Sequence, residues 1–227
     1  GVFRRQRQMC IRDSSKGDNL QTLKADIFRA TLSTDFSDTS KGNLTVVSSE
    51  FEKMYKNYYA SSYTAGASVV TMDGYLDPTE RENTIITGNI VNEMQIGSAT
   101  HTILFGGELI DTTNKNKRYD TYWSTTADDN EVFNITRPMD FTVNSAGVAT
   151  NNDFTADLNR QTQSDIEVTS IYIQDQIDVS ENLKVMIGGR HDTFDITVKD
   201  VKNGTAQSRE DKELSLIHIS EPTRPMN

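Results

Sequence analysis

A single cysteine, Cys10, stands in 227 residues. That count excludes a disulfide framework and thiolate metal clusters. Long apolar runs are missing too: nothing approaches the ~20 consecutive apolar residues of a membrane-spanning helix. Positive charge is short, with Lys+Arg at 23 against Asp+Glu at 33 and a net charge of −10, which argues against a nucleic-acid partner. No signal peptide stands at the start, and a chain that opens on Gly1 gives that absence no weight. With 35% apolar residues, two classes remain open. One is a soluble protein; the other is a β-barrel wall, in which only alternate residues meet lipid.

Both ends read as foreign. Arg4-Arg-Gln-Arg-Gln-Met-Cys-Ile-Arg-Asp-Ser14 resembles the translation of a sequencing-library adapter, and Leu214-Ser-Leu-Ile-His-Ile-Ser-Glu-Pro-Thr-Arg224 resembles the opposite adapter read outward. The expected division is residues 1–14 non-native, 15–213 a β domain and 214–227 non-native, with the foreign ends set aside from fold reasoning. Setting them aside removes Cys10, His218, Arg4, Arg5, Arg7, Arg12, Arg224, Asp13 and Glu221. Lys+Arg falls to 18, Asp+Glu to 31, and the net charge moves from −10 to −13. The basic start that would suit RNA disappears with the arm.

What is present is alternation. In Ser170-Ile-Tyr-Ile-Gln-Asp-Gln-Ile-Asp-Val179, Ile171, Ile173, Ile177 and Val179 share one face, against Tyr172, Gln174, Gln176 and Asp178. Leu183, Val185, Ile187 and Gly189 then oppose Lys184, Met186, Gly188 and Arg190. A period of two is the mark of a strand with one apolar and one polar face. The same pattern marks Leu20–Phe36, with Phe28, Ala30, Leu32 and Phe36 on one side. It recurs in residues 68–95, in His101–Leu109 and, less cleanly, in Leu44–Ser62. There Phe51, Met54, Tyr55 and Tyr58 would also suit a helix face, but the tyrosines and flanking turn residues favour a strand. Asp77-Pro78 should interrupt its strand as an edge, a bulge or a break, because proline donates nothing to a ladder. Asp175 is a blemish, a carboxylate on the apolar face.

The connections sort by side. Ser37–Asn43, Gly97–Thr100 and Ser180–Asn182 read as short turns after the first, third and fifth strands. Those after the second, fourth and sixth are open or long, above all the polar stretch from Thr112 to about Gln163. Antiparallel strands alternate ends, so the tight turns share one rim, as in outer-membrane barrels. A structureless stretch that long points to a functional loop or disorder. The clean apolar runs Ile171–Val179 and Leu183–His191 are each nine residues long, close to the ~9–11 tilted residues that cross a bilayer core. Beyond Asp192 the apolar phase flips to Phe194, Ile196 and Val198, as expected where a strand leaves lipid. The reading is an all-β antiparallel meander of about six long strands.

Two stretches carry a family resemblance. Ile171-Tyr-Ile-Gln-Asp-Gln176 with Leu183-Lys-Val-Met-Ile-Gly-Gly-Arg-His-Asp192, and Gly97-Ser-Ala-Thr-His-Thr-Ile-Leu-Phe-Gly-Gly-Glu108, resemble hairpins of TonB-dependent ferric-siderophore receptors, with His191 where tyrosine is usual. The resemblance implies a partial wall of a 22-stranded transmembrane barrel. It also implies residence in a Gram-negative outer membrane and a missing N-terminal plug that contacts TonB. The partners it implies are outer-membrane lipid and a ferric siderophore, with the hydroxamate type favoured. A passive porin wall and a soluble secreted β-sandwich are the alternative functions.

No catalytic constellation appears, so an enzyme is not expected, nor a cofactor: iron would arrive already chelated. Asp128, Asp129 and Glu131 read as a solvated charge run rather than a metal site. His101 and His191 read as interfacial side chains. Tyr119, Tyr122 and Trp123, with Arg118, open the long loop on the external side. They are the expected substrate-binding residues: amphipathic rings pack on a chelate's apolar surface, and the guanidinium attracts an anionic one. An aromatic girdle or loop packing would use the same rings.

Overall fold

The computed structural model describes residues 19–180 and 183–222. The N-terminal adapter-like stretch and part of the third tight turn lie outside them. Seven long antiparallel strands follow one another in chain order: β1 (Leu20–Ser37), β2 (Ser40–Ser62), β3 (Val69–Ile96), β4 (Ala99–Asp120), then β6 (Leu158–Ser180), β7 (Leu183–Asp200) and β8 (Thr205–Pro222). A short β5 (Glu131–Asn134) lies between β4 and β6 in sequence but pairs with β3, and a 3-10 turn covers Phe154–Ala156. The sheet is an open meander, with β1 and β8 each paired on one side only.

The strands are 18 to 28 residues long, far more than the ~9–11 needed to cross a bilayer core. They are that long because neighbouring backbones satisfy one another in a nearly continuous ladder, a need that does not depend on apolar side chains. Thr112–Asp120 and Leu158–Gln163, expected as loop, are therefore strand. The expected Ser37–Asn43 turn shrinks to Asp38-Thr39, with Lys41, Gly42 and Asn43 inside β2. Pro78 is neither an edge nor a bulge. Between β3 and β4 the rungs at Asp77 and Pro78 are missing, yet the register is the same on both sides, from Leu76↔Tyr119 to Thr79↔Asn116.

The register carries one parity across the sheet. On one face lie Leu32, Leu44, Ile86, Ile90, Phe105, Leu109, Ile171, Ile173 and Ile187, each 37% to 69% exposed. On the other lie Asn43, Asn89, Tyr172 and Arg190, cross-strand partners in one row through Gly106. A sheet that leaves its large aliphatic side chains exposed and pairs its polar ones has its faces inverted relative to a soluble domain. The strand ends sort as expected. Two-residue turns, Asp38-Thr39 and Gly97-Ser98, lie on one rim; residues 63–68 and 121–157 lie on the other. The sixth connection is a correction, being only the four-residue turn Val201–Gly204.

β8 runs through Leu214–Pro222, the stretch expected to be foreign. An open sheet edge accepts any segment able to pair its backbone, whatever the origin of that segment.

Candidate functional site

Above the aliphatic band, on the polar face of β2 and β3, three tyrosines gather. Odd-numbered residues of both strands share this face, so Tyr55, Tyr59 and Tyr75 meet on diagonals of the register. The Tyr55 and Tyr75 ring centres are 5.7 Å apart, and those of Tyr59 and Tyr75 are 6.1 Å apart. The Tyr59 hydroxyl donates to Asp73 Oδ2 at 2.8 Å. Partial burial, then the Asp73 carboxylate, push the Tyr59 phenol up to about 12, so it remains a neutral donor.

Arg118 completes this group, and the gap at Pro78 explains its pose. Asp77 and Arg118 would occupy the first missing rung, and their side chains close it instead. Arg118 Nε donates to Asp77 Oδ1 at 2.7 Å and Nη2 to Oδ2 at 2.5 Å, a two-pronged fork. The guanidinium carbon also lies 4.3 Å from the centre of the Tyr75 ring. The hydrogen bond to Asp77 raises the Arg118 pKa. The group therefore offers aromatic faces, phenolic donors and one guanidinium whose charge is largely matched by Asp77.

The residues beside Arg118 go elsewhere. Tyr119 pairs with Leu76 on the opposite face, where it borders a groove of about 250 Å3 with Lys115, Lys117, Gln161 and Gln163. Trp123 is fully buried, packed on Phe133 with ring centres 4.9 Å apart and near Tyr58 at 5.9 Å. Its indole N–H donates to the Asp129 carbonyl at 3.0 Å. Val70, Met72 and Phe141 close this small core. Residues 121–157 thus fold into an ordered knob, and its strand-borne members Tyr58, Val70 and Met72 lie on the aliphatic-face parity. Tyr122 is half-buried within it, its N–H donating to Asn152 Oδ1 at 2.6 Å. Of the four expected substrate-binding residues, only Arg118 joins the tyrosine group. Tyr55 and Tyr59 were visible in the sequence as strand residues; the parity that unites them with Tyr75 was not, because Pro78 broke the pattern.

The acidic run is not simply solvated. Glu131 is 4% exposed, its carboxylate accepting from the Thr125 hydroxyl, Asn144 and its neighbour's N–H. Burial, a hydrogen bond to the Asp157 carboxyl and the charges of Asp157, Asp120 and Asp73 push Asp129 up to about 6. Among the described residues no group of three or more His, Cys, Asp or Glu is arranged to hold a metal ion.

Lower on the polar face, two neighbouring rows knit four strands together. Arg190 Nη2 donates to Glu108 Oε1 at 3.0 Å, and Nε to Asp192 Oδ1 at 2.8 Å. The Tyr172 ring lies beneath the guanidinium, 5.4 Å away, and its hydroxyl donates to Asn89 Oδ1 at 2.6 Å. On the aliphatic face, His101 does not merely sit at an interface. Its Nδ1 lies 2.7 Å from Asp175 Oδ2, which partners the blemish left by alternation.

Comparison with known proteins gives three findings. A family model described as TonB dependent receptor-like, beta-barrel, matches residues 8–215. No curated protein matches the chain. Solved structures with the same fold include the siderophore receptor PiuA from Acinetobacter baumannii (13% identity, TM-score 0.69, covering 91% of this chain and 30% of that one). The unliganded ferric citrate transporter FecA is similar at 14% identity and TM-score 0.61, covering 88% and 25%. The ferric-catecholate import receptor Fiu from K12 E. coli is similar at 11% identity and TM-score 0.59, covering 91% and 31%. The chain therefore spans between a quarter and a third of the length of these receptors.

Proposed function

The chain belongs to the TonB-dependent receptor β-barrel family, and from that premise we propose that it is wall from an outer-membrane receptor for energised uptake of ferric siderophores. Its aliphatic face meets outer-membrane lipid, and its polar face lines the lumen. Iron is cargo here, entering as a chelate, and energy comes through TonB acting on an N-terminal plug. The protein is a receptor, not an enzyme. Structural neighbours whose names include a siderophore receptor, a ferric citrate transporter and a ferric-catecholate receptor support this reading of the cargo.

The observation that carries the reading is the group formed by Tyr55, Tyr59, Tyr75 and Arg118 on the polar face, above the aliphatic band. Rings with neutral hydroxyl donors suit a chelate that presents both apolar surface and oxygen atoms. Arg118 supplies attraction to an anionic chelate, tempered by Asp77. Tyr119 lies on the opposite face of the sheet, and Tyr122 and Trp123 belong to the ordered knob rather than to this group. A hydroxamate siderophore is the favoured cargo. Titrating ferric hydroxamate, catecholate and citrate chelates against a complete receptor barrel carrying residues 20–213 tests this. Binding of the hydroxamate, weakened by Tyr75→Ala, is expected; binding of none of the three would refute the proposal.

The domain reading belongs with it: residues 15–213 are receptor wall, and 1–14 and 214–227 are adapter-derived. Long-read sequencing across both junctions tests that division. Genomic sequence should depart from this chain near Ser15 and Glu213; agreement through Arg224 would refute the foreign origin of the C-terminal end.

A further inference from the structure

Two of the aliphatic-face rows carry glycine where their neighbours carry large side chains. One row reads Leu32, Leu44, Gly88, Gly107, Ile171 across five strands; the next, toward the two-residue turns, reads Thr34, Gly42, Ile90, Phe105, Ile173. Gly88 and Gly107 are adjacent partners, and Gly42 lies one diagonal away. The missing side chains of Gly88 and Gly107 leave a bent groove of about 370 Å3, walled by Leu44, Ile90, Phe105 and the Phe36 ring, which lies over Gly42. Phe36 and Phe105 stand 62% and 54% exposed beside it.

We propose that this groove seats one acyl chain of a membrane lipid. The inference rests on the outer-membrane reading above, which makes the groove part of the lipid-facing band. Within that band acyl chains are the medium, so the groove is continuous with an interface already assigned to lipid. A methylene takes about the space of a water molecule, roughly 30 Å3, so the groove holds about a dozen, the better part of one chain. Its shape selects the occupant. The floor bends diagonally across three strands, which a flexible chain follows and a rigid helix, about 10–12 Å across, does not. A second copy of this wall would rest on the protruding Phe36 and Phe105 before it reached the glycines. The Gly42 end, walled by the Phe36 ring, is the end nearer the Asp38-Thr39 turn, so the chain comes from the leaflet on the short-turn rim.

The experiment uses a complete receptor barrel carrying this segment, reconstituted in phosphatidylethanolamine and phosphatidylglycerol vesicles, extracted in mild detergent and weighed by native mass spectrometry. Gly88→Leu fills the groove, and a Cβ there meets nothing closer than a Leu44 methyl at 3.8 Å. Phe105→Ala removes one wall and serves as the second variant, should the filled barrel not assemble. Each is expected to retain one phospholipid fewer per barrel than the parent, with assembly unchanged. Equal retention in parent and variants would overturn the seat while leaving the membrane reading intact, as would a parent dimer that Gly88→Leu dissolves. A parent that fails to enter vesicles would overturn the membrane reading beneath it.

Discussion

Gly106 should be the least replaceable small residue on the polar face. It sits directly opposite Tyr172 in the β4–β6 ladder, and the tyrosine ring lies flat over it. A Cβ built on Gly106 would stand 2.5 Å from Tyr172 Cζ and from Asn89 Oδ1, far inside contact distance. Gly106→Ala must therefore lift the ring. That breaks the Tyr172–Asn89 hydrogen bond and draws the ring from beneath Arg190. Forced overpacking costs roughly 1–3 kcal/mol, the hydrogen bond about 1 kcal/mol, and the cation–ring contact ~0.5–1 kcal/mol at a partly exposed site. Alanine recovers ~0.5–1 kcal/mol of the entropy that glycine loses in a strand. The net expectation is a loss of about 2–4 kcal/mol, read from urea unfolding of a complete barrel followed by its gel-mobility shift. The cycle with Tyr172→Ala isolates the cause. Once the ring is gone, Gly106→Ala should be neutral or slightly stabilising, because Asn89 is then free to swing aside. An equal cost in both backgrounds would refute the packing explanation.

Three further outcomes follow from named contacts. His101→Ala leaves the Asp175 carboxylate unpartnered on the aliphatic face and should destabilise the barrel by about 2–4 kcal/mol, whereas His101→Ala with Asp175→Ala should be more stable than the single variant; if the double is worse, the pair is not what holds Asp175. Trp123→Ala empties the knob's core and should cost roughly 3–5 kcal/mol of local stability, seen as amide exchange across 121–157 with β6 and β7 unaffected. Asp129 has a folded pKa near 6, raised above its unfolded value of about 4, so it favours the folded knob fully below pH ~4, and that contribution is lost as pH rises through 6. Amide exchange of the knob should accelerate over that window, and Asp129→Asn should flatten the profile; an unchanged profile would refute the part assigned to the Asp129–Asp157 hydrogen bond.

Where alternation was strong, the strands were legible from residues alone: Ile171–Val179 and Leu183–His191 needed only their period of two. Legibility failed where neither face is aliphatic. Thr112–Asp120 is polar on both sides and read as loop, although its backbone pairs with β3 on one side and β6 on the other, broken only by the rungs missing at Asp77 and Pro78 and a register shift at Arg118/Tyr119. Gly42 and Asn43 read as turn residues; in the sheet Gly42 makes room for the Phe36 ring, and Asn43 bonds Asn89 across the ladder. Asp175 was visible as an anomaly, but its partner His101 lies 74 positions away, and pairing at that separation leaves no local trace. The candidate site was hard to read for a different reason. Aromatic residues in Tyr119–Trp123 drew attention as a cluster in sequence, yet consecutive strand residues point to opposite faces, and Trp123 became core. The tyrosines that do gather come from two strands, and only the register unites them.

The inverted two-faced wall is the premise for everything proposed, and spin labels along β6 of a complete barrel in lipid vesicles probe it most directly. Labels replacing Ile171, Ile173, Ile177 and Val179 should be accessible to lipid-soluble oxygen and shielded from a water-soluble nickel complex. Labels replacing Tyr172, Gln174 and Gln176 should show the reverse, giving a period of two along the strand. Uniform exposure to the water-soluble reagent at all seven positions, or an alternation of opposite phase, would contradict it.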